Sequence, residues 1–518
     1  DYISTGPGWQ TITLTNPVYF DCDKPLWFYV CAYTTSHGGC GGVGVYGNHE
    51  SPNGGYYHNG FWVNMAISWC MSVTVDKGEY SYDLYRNEEC LAEDIAACSY
   101  RDANPADGLN AYYVKTRYYG KVSPQSDVCK ATRLRFYANG ENMASSLTME
   151  QEPFAPFPTP TAINGYESLG WASSETPLPT QSAPSLVDAA TYTLSGNGHL
   201  HAVYGIAKDA QSHWYSTTVT PLSGTLTSGT YATNCYVSAP TRIPNDAVVV
   251  FPYGLGSTNP SDLVIEDGGQ LFVQQPNVKA TVQKHIAACT GSRDGYYLVS
   301  SPMTTNMAGH YADGTFDLYR YDEPNHLWGN YESEAFDFVA GQAYLYANET
   351  DRTVLMAGEL NTDDVSVNLS CRAEDLPGFN LVGNPYTHAI AYPASDDLSV
   401  GYYLLNASGN AFDATLATEP IAPSQGFLVQ ATQATTMTFT NTMPTLSRDL
   451  VPSLEIAVGD GKRSDKAYLV LGEGNSLEKI SHLDENAPML YLRQGKTDCA
   501  IATMSELPES VAVSFKAG

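Results

Sequence analysis

The residues best suited to chemistry lie in one glycine-rich loop, residues 37–60. This loop carries a cysteine, three histidines and an acid: His37, Cys40, His49, Glu50 and His58. A cysteine beside a histidine could act as a nucleophile, and three histidines could hold a metal ion. The histidines follow one another at intervals of 12 and 9 residues, a spacing that does not place them on one helical face. We therefore interpret the loop as structural.

A second candidate is a pair of carboxylates. Asp21 and Asp23 flank Cys22 at the end of a predicted strand, so their side chains point to the same side. Carboxylates paired in this way can bind Ca²⁺. Calcium bound at Asp21 and Asp23 is one interpretation and a solvated turn is the other. No other cofactor is expected.

The remaining candidates favour packing or binding over catalysis. His199 and His201 alternate on one predicted strand and are interpreted as solvent-facing residues. Four tryptophans could form a platform for sugars, although packing is their commoner use: Trp62, Trp69, Trp214 and Trp328. The chain contains no G-x-S-x-G, H-E-x-x-H or P-loop motif. The sequence therefore predicts a protein that is not an enzyme.

The composition indicates how such residues are positioned. The chain has 37 tyrosines, 44 glycines and 30 prolines, and only 16% of its residues are charged. Tyrosine suits half-buried strands, and glycine and proline suit tight turns. No stretch of helical period with caps is present, so the predicted fold class is all-β, built from β-sandwich, jelly-roll and β-grasp-like modules.

Charge and cysteine content narrow the function classes. The formal net charge is −29, which argues against nucleic acid as a partner. No run of about 18 apolar residues occurs, so direct membrane insertion is not expected. Seven of the 11 cysteines fall within the first 129 residues and none forms a C-x-x-C pair. In an extracellular setting these seven could form up to three disulfides, with pairing undetermined.

Two segments at the start resemble modules of bacterial adhesins. Residues 1–76 contain "GWQTITL" and "PVYFDCDKPLWFYV" before a glycine-rich stretch, and they resemble the second half of a jelly roll from the cleaved-adhesin regions of gingipain-like proteins. Residues 77–132 contain "SYDLYRNEE" and "AYYVKT" and are similar to the later strands of a truncated fibronectin type III-like domain.

Residues 133–206 resemble an internalin-type B repeat. The segment carries "FYANG", "GYESLGWA" and "YTLSGNGHLHAVY" in that order. Eight residues are expected to supply its alternating inner face: Tyr166, Leu169, Trp171, Tyr192, Leu194, Leu200, Ala202 and Tyr204. Residues 207–290 are predicted to be a β-rich bridging region.

Residues 291–445 contain an internal repeat. "GYYLVSSPM" from Gly295 matches "GFNLVGNPY" from Gly378, and "FVAGQAYLYAN" from Phe338 matches "IAPSQGFLVQA" from Ile421. The offset of 83 or 84 residues predicts a duplicated β-sandwich in which each copy covers the apolar face of the other.

The last segment, residues 446–518, is similar to the β-rich module that leads into a sorting domain of the gliding-type secretion route. We expect that sorting domain to be missing here, and both ends of the chain to be cut from a longer polypeptide. These resemblances imply an extracellular or cell-surface location after secretion across the outer membrane.

Together they imply a non-catalytic adhesion or protein-recruitment segment. Its partner would be an extracellular host or bacterial protein, or another segment of the same precursor. The alternatives are the non-catalytic C-terminal portion of a secreted peptidase and an array of carbohydrate-binding modules.

Overall fold

The computed structural model describes strand backbones within the first 79 residues and then most of residues 80–518. The residues left out of the second part are 119, 151, 195, 290, 292–293, 373–376, 445–451, 461–462 and 518. About 50% of the chain is strand and about 2% is helix, which confirms the prediction of an all-β fold. The described residues fall into two compact units, Asp1–Ser81 with Thr116–Ser123, and Tyr82–Lys115 with Pro124–Gly518.

The first unit contains a four-stranded antiparallel sheet in the order β1-β2-β3-β4. Its strands are β1 (Leu26–Tyr33), β2 (Gly38–Val45), β3 (Asn53–His58) and β4 (Phe61–Met65). The register of β1 and β2 sets Cys31 opposite Cys40. The proposed calcium ligands Asp21 and Asp23 lie outside the described residues, as do His37, His49 and Glu50.

The next nine strands form one sheet around β9. They are β5 (Tyr80–Arg86), β6 (Glu89–Ile95), β7 (Gly108–Tyr118), β8 (Lys121–Val122), β9 (Cys129–Ala138), β10 (Glu141–Met149), β11 (Glu167–Ala172), β12 (His199–Ala207) and β13 (His213–Ser216). Along one edge β9 pairs with β10. Along its other edge it pairs with β7 and then, in parallel, with β12.

One face of this sheet is a hydrophobic core. Leu134 and Phe136 of β9 are buried there with Trp171 and Tyr204. Among the eight residues expected on the inner face, Tyr166, Leu200 and Ala202 are also buried, and Tyr192 and Leu194 pack against the cluster. The expectation for Leu169 is wrong: its side chain is 36% exposed, because the register of β11 shifts between Ser168 and Gly170.

The bridging region is a short stack of parallel strands. It comprises β14 (Thr220–Thr225), β15 (Gly229–Thr230), β16 (Cys235–Ile243), β17 (Val248–Phe251), β18 (Leu255–Gly256), β19 (Leu263–Ile265), β20 (Gln270–Val273) and β21 (Lys279–Ile286), with a 3₁₀ turn at Pro260–Asp262. One sheet joins β14, β16, β19 and β21 in parallel, and another joins β15, β17 and β20. Successive strands thus alternate between two parallel sheets, so the chain coils in the manner of a β-solenoid.

Two successive coils of this stack, residues 242–251 and 264–273, are related by an offset of 22 residues. Ile243 pairs with Ile265, and Val249 pairs with Leu271. The turn between the sheets has a left-handed residue at the same offset, Asp246 with φ 66° and Gly268 with φ 89°. The inward residues of successive coils therefore stack in one core.

In the duplicated region that follows, the described residues form eleven strands and one short helix. They are β22 (Tyr297–Ser300), α1 (Ala308–Tyr311), β23 (Phe316–Asp322), β24 (Leu327–Asn330), β25 (Ala343–Asn348), β26 (Arg352–Glu359), β27 (Val365–Leu369), β28 (Phe379–Gly383), β29 (Leu398–Leu405), β30 (Phe412–Leu416), β31 (Gly426–Ala431) and β32 (Thr435–Phe439). The sheets β22-β25-β23-β24 and β28-β31-β29-β30 have the same order. Leu298 lies opposite Leu345 in the first sheet, as Leu381 lies opposite Leu428 in the second.

The two copies contact each other reciprocally. The Ser300 amide donates to the Ser424 carbonyl at 3.0 Å, and the Gly383 amide donates to the Gly341 carbonyl at 2.9 Å. Each bond becomes the other when the copies are exchanged at the 83-residue offset, which is the relation that a two-fold axis produces. Leu298, Leu345, Leu381 and Leu428 share one core between the copies.

The last sheet comprises β33 (Ser453–Gly459), β34 (Ser464–Leu471), β35 (Leu477–Glu478), β36 (Met489–Gln494), β37 (Thr497–Met504) and β38 (Ala512–Lys516). Its order is β33-β34-β37-β36-β38, with β35 beside β37. Val470 and Ile501 join the core of the duplicated region. No helix in the described part of the chain is long and apolar enough to span a bilayer.

Candidate functional site

The outer face of β9 brings together side chains from three strands. The register sets Leu147 of β10 opposite Arg133, and His199 and His201 of β12 opposite Arg135 and Tyr137. Residues directly opposite each other project from the same side of a sheet. We call the resulting surface the β9 face: Arg133, Arg135, Tyr137, Leu147, Met149, His199 and His201.

Tyr137 lies at the centre of the β9 face. Its ring stacks on that of His201, with centroids 5.4 Å apart and an interplanar angle of 17°. The ring of His199 is 5.1 Å away at 60°. The histidines are thus partly exposed aromatic neighbours of a tyrosine.

A single carboxylate, Asp107, ties the basic side chains together. Arg135 Nε donates to Asp107 Oδ1 at 2.5 Å, and His199 Nε2 lies 3.2 Å from Oδ2. Partial burial raises the pKa of Asp107, but hydrogen bonds from Arg135 and His199 outweigh it and hold this pKa below its ordinary value. Arg133 donates to the Pro105 carbonyl at 2.7 Å. The arginines are therefore held in fixed positions before any ligand arrives.

Burial lowers the pKa of His201, and the charge of Glu175 offsets this only in part. His201 is therefore neutral at pH 7, and its ring presents an aromatic surface instead of a charge. The β9 face accordingly combines two fixed guanidinium groups with a cluster of three rings.

An apolar edge adjoins these polar groups. Leu147 is 57% exposed and Met149 is 43% exposed. In the described part of the chain β10 pairs with β9 alone, so the second edge of a nine-residue strand presents unpaired backbone groups. Such an edge can accept an additional strand from another chain.

Other residues considered from the sequence are not brought together. Trp214 contacts Tyr253 and Lys208, whereas Trp328 contacts Tyr321, so these two tryptophans form no common platform. Cys90, Cys98 and Cys129 carry free, exposed thiols. No cluster of three potential metal ligands occurs among residues that the structure describes.

Comparisons with protein-family models, with curated proteins and with solved structures gave no match.

Proposed function

We propose that the chain is a non-catalytic adhesion or recruitment segment that binds an extracellular protein through the β9 face. The observation that carries the proposal is the combination of fixed arginines, clustered rings and exposed apolar side chains beside an open strand edge. Arginine, tyrosine and methionine are the residues in which protein-binding surfaces are enriched. Tyrosine and arginine also dominate the binding energy of such surfaces.

The electrostatics favour a particular kind of partner. The chain as a whole is strongly acidic, with a formal net charge of −29, whereas the β9 face holds Arg133 and Arg135 beside one carboxylate. A partner that presents a carboxylate or an acidic strand would gain directional hydrogen bonds from guanidinium groups. Its backbone could at the same time pair with the open edge of β10.

The all-β architecture agrees with this role. Strings of β modules can hold a binding face away from a cell, and the adhesin resemblance implies an extracellular location. We therefore propose a host or bacterial extracellular protein as the partner, with no catalytic step.

The test measures binding of the chain to a panel of purified extracellular-matrix, serum and secreted bacterial proteins, with a glycan array run in parallel. We expect at least one protein to bind. Leu147→Asp or Tyr137→Ala should then weaken that binding roughly tenfold or more, because Tyr137 lies at the centre of the β9 face and Leu147 is its more exposed aliphatic side chain.

Leu327→Asp is the matched control, since Leu327 is a 62% exposed leucine on β24 of the duplicated region. This variant should bind as the unchanged chain does. Equal losses for Leu147→Asp and Leu327→Asp, or binding to glycans alone, would contradict the proposal.

A further inference from the structure

A lysine and an aspartate are buried against each other in the last sheet. Lys479 Nζ lies 2.7 Å from Asp465 Oδ1 and 2.5 Å from Oδ2. The Lys479 side chain is 1% exposed and that of Asp465 is 0% exposed. Asp465 is on β34, and Lys479 follows β35. The amine is thus confined against both oxygens of one carboxyl group and has little access to water.

The carboxyl group is held in place by further donors. The Leu490 amide donates to Oδ2 at 2.6 Å, and the Lys466 amide donates to Oδ1 at 2.9 Å. Two backbone N–H groups aimed at one carboxyl can also stabilise an oxyanion that forms on it.

His482 completes the pocket. Its Nδ1 accepts a hydrogen bond from the Phe412 amide at 3.1 Å, which leaves the proton of the neutral ring on Nε2. That nitrogen lies 3.1 Å from the Pro488 carbonyl and 3.5 Å from Asp465 Oδ2. The neutral ring therefore adds a third donor near the carboxyl group without adding a charge.

From this geometry we propose that Lys479 and Asp465 condense to an intramolecular amide cross-link. A proton passes from the ammonium group to the carboxylate across their hydrogen bond, and the neutral amine then attacks Cγ. The Nζ–Cγ bond forms, one Cγ–Oδ bond breaks, and that oxygen leaves as water with two protons from Nζ. One positive and one negative charge disappear together, so no oxidant, reductant or other reactant is consumed.

The surroundings favour the neutral form of the amine but the ionised form of the acid. Burial raises the pKa of Asp465, but the hydrogen bond from His482, the charge of Lys479 and the hydrogen bond from the Leu490 amide outweigh burial and hold this pKa below its ordinary value. Burial lowers the pKa of Lys479, although the charge of Asp465 opposes this shift. Nearby Asp413 has a raised pKa, first because of burial and then because of the charge of Asp465. A buried ion pair is costly because both groups lose water, whereas an amide in the same place carries no charge.

The decisive measurement is the intact mass of the purified full chain after reduction of any disulfides. We expect a mass lower than that of the sequence by one water molecule. Trypsin should then yield a branched peptide in which residues 464–466 are joined to residues 467–493, uncleaved after Lys479. A mass equal to that of the sequence, with only the linear peptides 464–466, 467–479 and 480–493, would overturn the proposal.

Variants locate the bond. Lys479→Met and Asp465→Ala should each have the full mass of their own sequences, and Lys496→Met is the matched control because Lys496 is an exposed lysine in the turn between β36 and β37. That control should keep the deficit of one water. A deficit that persists in Lys479→Met would show that the water is lost elsewhere, and would also overturn the proposal. These masses do not depend on any ligand of the β9 face.

Discussion

At the residue scale, one left-handed backbone position holds a glycine in the first copy of the duplicated region and a serine in the second. Gly341 in the first copy has φ 79°, and Ser424 at the same place in the second has φ 52°. A left-handed backbone costs glycine little but costs an L-residue about 1–2 kcal/mol. The hydroxyl of Ser424 is also buried without a hydrogen-bond partner. The second copy is thus strained where the first is relaxed.

We therefore predict that Ser424→Gly raises the free energy of unfolding by about 1–2 kcal/mol. The reverse change, Gly341→Ala, should lower it by about 2–3 kcal/mol. A β-carbon at Gly341 would lie 2.6 Å from Val367 Cγ2, closer than van der Waals contact allows. Urea midpoints of the full chain measure both changes. A lower midpoint for Ser424→Gly would contradict the assignment of strain to this residue.

At the scale of elements, alternation of apolar residues predicted strands correctly but could not tell parallel from antiparallel pairing. The solenoid illustrates the limit, because only about two coils repeat clearly and "RIPNDAVVVF" resembles "VIEDGGQLFV" only in its apolar positions. The 83-residue repeat is easier to recognise in the sequence, since whole motifs recur.

The β9 face could not be predicted as a site, because β9, β10 and β12 meet only through long-range pairing. His199 and His201 alone signalled a shared face.

The solenoid turn gives a test at this scale. Gly268→Ala should destabilise the chain by about 1–2 kcal/mol, since its φ is +89°. A β-carbon there would lie 2.1 Å from Asn245 Oδ1, but the Asn245 side chain is exposed and can rotate away. Gly224→Ala is the matched control: its φ is +71° and nothing lies within 4 Å, so it should lose a similar amount from backbone strain alone. Thermal unfolding of both variants measures the two losses. A much larger loss for Gly268→Ala would show that Asn245 is held in place and that the clash dominates.

At the scale of the whole molecule, the solenoid and the second repeat are joined around a buried histidine. The Leu271 amide of β20 donates to the Thr387 carbonyl at 2.9 Å. Asn441 donates to the Val273 carbonyl at 2.9 Å, and its Oδ1 lies 2.8 Å from His388 Nε2. Burial lowers the pKa of His388 and outweighs the hydrogen bonds that raise it. This joint is therefore built around an uncharged ring.

The sign of the resulting pH dependence follows directly. Because the folded chain holds the pKa of His388 below 6.5, the unfolded chain binds protons more readily, and stability is lost as the pH falls below that value. We expect the urea concentration at the unfolding midpoint to be lower at pH 5.5 than at pH 7.5. The difference between the two midpoints should be smaller in His388→Gln. An identical pH dependence in the two proteins would mean that other groups control it.

The reciprocal hydrogen bonds between the two repeats indicate how the duplicated region evolved. Bonds that exchange equivalent residues are those of a symmetric homodimer, in which one surface binds a second copy of itself. We infer that a single ancestral repeat associated in this way before its gene was duplicated in tandem. Fusion of the two copies then made their association intramolecular, so it no longer depended on protein concentration but on the linker that joins them. Once both copies resided in one chain, each was free to diverge, and the serine at position 424, where the first copy has Gly341, is a trace of that divergence.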